Sequence, residues 1–185
     1  MATCFLLALG PACGTNGPPL LPALGPCPGE SGFGARLAGA EHAVDVCVPD
    51  DSVTTVFTFT GWYDVSVTHT GDDGTVYEFN MMFPHHDSSR KLHVTGNLAD
   101  ARADANGAWL KYIESPANGP AIESVAVYGG TFRLGYSDTD VVAGLLEDIV
   151  MEMRFSDSGD TADTRTLSEG FFSILTDTRE SLITN

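Results

Sequence analysis

Basic residues are scarce in this chain. Nine lysines and arginines stand against 25 aspartates and glutamates, a net charge of −16, and Lys91 and Lys111 are the only lysines. A field of that sign repels phosphate backbones and argues against nucleic acid as a partner. It suits a solvated acidic surface and is compatible with divalent cations or basic partners. Long apolar runs are missing too. The stretch from Cys4 to Leu9 falls far short of the roughly 20 residues that span a bilayer. No later run is long enough, so membrane contact is expected only through the N-terminus. Cofactor and nucleophile motifs are absent. Gly29-Glu30-Ser31-Gly32-Phe33 lacks the second glycine of a nucleophile elbow. There is no phosphate loop, dinucleotide fingerprint or HExxH. No catalytic residue and no organic cofactor is therefore expected. Long helical patterns are few, which argues against an α/β fold.

What is present is alternation. Val44, Val46 and Val48 share one parity; Val53, Phe57 and Phe59 take the other, and Tyr63, Val65 and Val67 continue it after Gly61. Asp72-Asp73-Gly74 marks a turn, and Tyr77, Phe79, Met81 and Phe83 form the next apolar face. Leu92 and Val94, Ala108 to Ile113, Val125 with Val127, Phe132 with Leu134 and Tyr136, Ile149 to Phe155 and Leu167 to Leu175 extend the series. Period-2 patterning with β-branched and aromatic residues is the mark of half-buried antiparallel strands. The expected fold is all-β: an antiparallel β-sandwich or barrel of about eight or nine strands, with at most one or two short helices. One helix is expected within Asn97 to Asn106, ahead of Gly107. Another is allowed from Asp140 through Val141, Leu145 and Ile149. A parity change at Gly129-Gly130 predicts a bulge or tight bend.

The N-terminus is organised differently. Leu9-Gly10-Pro11-Ala12-Cys13 closes a short apolar run with a small residue before a cysteine, and Gly14-Thr15-Asn16-Gly17-Pro18-Pro19 follows. This leader resembles that of bacterial lipoproteins. The resemblance implies that Cys13 is lipidated and becomes the mature N-terminus, outside the cytoplasm. Gly10 stands where such leaders carry leucine, and no Lys or Arg precedes Phe5; a start codon placed too far downstream would account for the latter. A cleaved secretory signal and an ordinary N-terminus remain the alternatives. The expected organisation is an export signal over 1–13, a Gly/Pro-rich linker over 14–32, a β-domain over 33–177 and a polar tail over 178–185. Cys27 and Cys47 remain for the mature domain and read as a disulfide in an exported protein, with two free buried thiols as the alternative.

Candidate sites are few. His85, His86 and Asp87 are the densest cluster of metal-ligating side chains, with His93 near in sequence, and imidazole with carboxylate suits zinc. The plainer reading is a polar hairpin loop. Asp157, Asp160 and Asp163 on a Ser/Gly/Thr loop suit calcium or plain turns. Glu147, Asp148 and Glu152 bear a faint likeness to the acidic strand of β-sandwich glycoside hydrolases. Such enzymes hold two carboxyls about 5 Å apart when retaining, whereas Asp148 and Glu152 would stand about 13 Å apart along a regular strand. Trp62 with Tyr63 and Trp109 with Tyr112 can stack on a sugar or fill a core. The functional expectation is an exported domain with a binding or structural role, its partner an envelope protein or glycan. The alternative is a metal-binding protein or metal-dependent hydrolase.

Overall fold

The computed structural model describes residues 32–39, 43–49, 52–57, 60–86, 88–137 and 141–175. The leader with Cys13, most of the linker with Cys27, Asp87, Asp140 and the tail lie outside them.

The described chain is mostly β, with twelve strands and one helix. In order these are β1 (Gly32–Ala38), β2 (Ala43–Val48), β3 (Val53–Phe57), β4 (Trp62–Thr70), β5 (Val76–Pro84), β6 (Arg90–Thr95), α1 (Leu98–Ala103), β7 (Gly107–Ser115), β8 (Ile122–Tyr128), β9 (Thr131–Ser137), β10 (Val141–Glu147), β11 (Ile149–Phe155) and β12 (Thr161–Leu175). The expected eight or nine strands were too few. β1 begins inside the glycine-rich segment assigned to the linker, and β10 occupies the stretch allowed as a helix. Val142, Ala143 and Gly144 are all buried, so that strand is covered on both faces and shows no clean alternation.

The pairing path runs β2-β1-β12-β10-β9-β6-β7-β5-β4-β3, with β11 joining β12 to β8 and β8 joining β7. All pairs are antiparallel except β6 with β7. That parallel pair requires a crossover, and α1 supplies it. Asn97 caps α1 by accepting from the Ala99 and Asp100 amides. Gly107 then starts β7, where a Cβ would strike the Ala101 backbone. Because Gly107 has the parity of Trp109 and Lys111, α1 lies over the outward face of β7 at its start.

Aromatic contacts hold the core. Phe79 on β5 stands 4.9 Å from Phe33 on β1 and 5.0 Å from Tyr112 on β7. Phe83 meets Phe132 on β9 at 5.1 Å and Phe172 on β12 at 5.6 Å. β5 thus faces β1, β9 and β12 across the interior. These rings are nearly completely buried, and tilted or edge-on packing adds to their area burial. At one end of the core Glu114 accepts from the Tyr112 hydroxyl at 3.1 Å and from Arg165 Nε at 3.1 Å. The ion pair is some nine-tenths buried.

Two strand pairs and one long strand bend at neighbouring positions. β8 passes into β9 through Gly129-Gly130, β10 into β11 through Asp148, and β12 kinks at Glu169-Gly170. Among the described residues, Asp148 (φ 52°) and Glu169 (φ 51°) are the two non-glycine residues with positive φ. A Cβ on Gly130 would lie 2.6 Å from the carbonyl oxygens of both Glu147 and Asp148, so only glycine lets the bent strands cross this closely.

Candidate functional site

Two surface features stand out, a crease and a face. The crease lies at these bends and opens a cavity of about 850 Å³ lined by Thr131, Glu147, Asp148, Ser168, Glu169 and Gly170. Two of its carboxylates are engaged: Glu147 with Arg133 at 3.4 Å and Glu169 with Arg36 at 3.0 Å. Its strained backbone serves the bend that splits the sheet. The architecture therefore accounts for the crease without a ligand.

The face is the outward side of β4, β5 and β7. Tyr63, Val65 and Val67 on β4 point into the core, as do Tyr77, Phe79, Met81 and Phe83 on β5 and Leu110 and Tyr112 on β7. Period 2 then sends their neighbours outward. Register places Trp62 beside Pro84, Asp64 beside Met82 with Trp109 on Met82's other side, and Ser66 beside Asn80 with Lys111 on Asn80's other side. Trp62 and Trp109 remain partly exposed. Two strand spacings and two residues of rise set their Cα atoms on the order of 12 Å apart. The Trp109 indole N–H donates to the Gly96 carbonyl at 3.0 Å, which fixes the ring beside the entry to α1. Met82 is only 7% exposed although it points away from the core. Ser66 donates to Asn80 Oδ1 at 2.9 Å, and Lys111 pairs with Glu123 at 2.6 Å. The Asp64 carboxyl makes no hydrogen bond or ion pair with a described residue, and burial alone holds it above the ordinary aspartate range. Partial desolvation of a carboxylate that no neighbour pairs costs some stability.

Of the metal candidates, His85 and His86 follow β5 and His93 lies on β6. His85 follows β5, its Nδ1 3.2 Å from the Tyr63 hydroxyl, with its backbone N–H donating to Gly61 O at 2.9 Å. His86 is half-buried next to it, and Asp87 lies outside the described residues. His93, on β6, is exposed and bonds Asp104 through Nδ1 at 2.7 Å. The Asp104 carboxyl sits below its ordinary range, first because the Asn106 amide donates to it and then because of His93. Among the described residues no group of three or more His, Cys, Asp or Glu is arranged to hold a metal ion. Asp157 and Asp160 lie in the β11–β12 turn, while Asp163 bonds Arg165 at 3.2 Å. Glu152 is turned to Arg154 at 3.3 Å. Of the four aromatics, Tyr63 and Tyr112 are core residues, and the two tryptophans are outward.

Cys47, on β2, is disulfide-bonded; the other three cysteines lie outside the described residues. Sequence reasoning found the tryptophans and missed Asp64, whose only signal is its even step from Trp62, which sets it on the outward parity of a strand whose Tyr63, Val65 and Val67 face the core. No family model, no curated protein and no solved structure matches the chain.

Proposed function

We propose that this chain is a non-catalytic binding domain, exported and held at the cell envelope through an acylated Cys13, with a Gly/Pro-rich tether and a Cys27–Cys47 disulfide. In this reading the fold is a sandwich rather than a barrel, because the pairing path ends on β2 and β3 while β5 packs across the core on β1, β9 and β12. The binding surface is the outward face of β4, β5 and β7, and its partner is an envelope glycan or protein. One observation carries this: on one sheet face, the carboxylate of Asp64 shares a strand with part-exposed Trp62 and a cross-strand row with part-exposed Trp109. The leader supports export, and the oxidised Cys47 supports an oxidising compartment.

The test is capture of envelope fractions and arrayed glycans by the full chain, compared with Trp62→Ala and Trp109→Ala. Loss of capture in both variants, with unchanged melting, is the expected result. Capture that ignores both substitutions, or turnover of a generic substrate, overturns it. Mass spectrometry of the membrane fraction tests the anchor, which predicts an acylated N-terminus at Cys13 and its release by Cys13→Ser.

The second reading is a metal-binding protein or metal-dependent hydrolase built on His85, His86 and Asp87 with His93. The adjacency of His85 and His86 supports it, and the Asp104 bond of His93 weighs against that residue's part. Elemental analysis of the purified chain decides it: stoichiometric zinc or calcium, lost in His85→Ala, would favour this reading.

A further inference from the structure

This inference rests on the binding face proposed above and names the chemistry it takes. The face offers two flat indoles on the order of 12 Å apart, with Met82 and Pro84 between them on the central strand. Asp64 lies two residues from Trp62 along β4 and in the same cross-strand row as Trp109. It is an uncompensated charge on β4, across Met82 from Trp109. The nearby cation, Lys111, is engaged by Glu123, and Glu78, one row further along β5, is also negative. The whole chain carries −16.

Charge complementarity then selects the occupant. Polymers bearing phosphate or carboxylate are repelled. An extended peptide gains most of its affinity by adding to a sheet edge, and β4 and β5 are interior strands with both edges paired. A sugar ring needs no such ladder. Its apolar C–H face lies on an indole, and its hydroxyls reach Ser66 and Asn80 at the rim. An ammonium group on that ring meets both the negative face of an indole and the Asp64 carboxylate. We propose that this face binds a polysaccharide of amino sugars with free ammonium groups, its rings stacked on Trp62 and Trp109 and one ammonium seated on Asp64.

Titration calorimetry of the full chain with three hexasaccharides tests this, near pH 6 where amines are protonated: glucosamine, N-acetylglucosamine and glucose. The glucosamine oligomer should bind about tenfold tighter than the other two. Asp64→Asn should erase that preference without any loss of stability, and Trp109→Ala should weaken all binding. Equal affinity for the three sugars, or a preference that survives Asp64→Asn, overturns the proposal. So does tighter binding of a lysine-rich peptide at the same face. If neutral sugars bind through Trp109 without regard to Asp64, this inference falls and the binding face stands. If none of the probes binds and envelope capture ignores Trp109→Ala, both fall.

Discussion

At the scale of single residues, three side chains separate the effects of burial, charge and pairing. Asp64 is held above the ordinary aspartate range by burial, so the folded state binds its proton more tightly than the unfolded state does. Stability should therefore fall as pH rises from the ordinary aspartate value through the raised one, and the full penalty applies above it. Asp64→Asn should stabilise the domain at neutral pH by about 0.5 kcal/mol, a small figure because the group is only part-buried. The gain should vanish in acid below the ordinary aspartate range, which melting curves across pH would show. Glu114 is the opposite case, a buried charge with its partners in place. Glu114→Ala removes the buried carboxylate from Arg165 Nε, leaves that cation only Asp163 at Nη1 and should cost about 3 kcal/mol, whereas Glu114→Leu combined with Arg165→Met should cost less. On β11, Ile149, Met151 and Met153 are fully buried, as their alternation indicated. Met151→Asp should cost several kcal/mol and Glu152→Lys under about 0.5 kcal/mol. Equal losses in urea titrations would refute that face assignment.

At the scale of elements, alternation was readable wherever one face of a strand meets the core and the other meets water. β4 and β11 follow that rule, β5 follows it except at the covered Met82, and α1 was legible from the glycine beyond it. Three features escaped for physical reasons. β10 is buried on both faces, so Val141, Leu145 and Ile149 mimicked a helical spacing. Val125 and Val127 were assigned one face, yet Val125 is 42% exposed and Val127 is 8% exposed. The register shift opposite them between Glu152 and Met153 marks the irregularity. The bend at Gly129-Gly130 was expected, but its counterparts at Asp148 and Glu169 were not, because a left-handed aspartate or glutamate leaves no compositional trace. Those two residues carry a conformational cost that glycine does not. Asp148→Gly and Glu169→Gly should each raise stability by about 0.5 kcal/mol, after glycine's own entropic cost. Gly130→Ala should lower it by more than about 1 kcal/mol, because the backbone contacts at 2.6 Å leave no room for a methyl. Denaturant midpoints at constant m would show both signs.

At the scale of the whole molecule, the candidate site was half legible. The tryptophans were visible in the sequence, but their shared face emerged only when register set β4, β5 and β7 side by side. Of the histidines, His93 on β6 bonds Asp104 and His85 bonds Tyr63, partners that no sequence pattern announced. The entry of the chain follows a separate logic. β1 and β2 end the pairing path, and Cys47 fastens β2 through its disulfide. With the proposed partner Cys27, the bond closes a loop that includes β1, and in the chain-entropy picture such a loop contributes about 3 kcal/mol. Cys47→Ser and Cys27→Ser should therefore each cost about 2–4 kcal/mol, and the double variant should cost no more than either alone, since both singles remove the same bond. Cys13→Ser should leave unfolding unchanged and alter only membrane attachment. If Cys13→Ser destabilises the chain as much as Cys47→Ser while Cys27→Ser does not, Cys13 is the partner of Cys47. The lipid anchor proposed on that cysteine would then be refuted by the same denaturation curves.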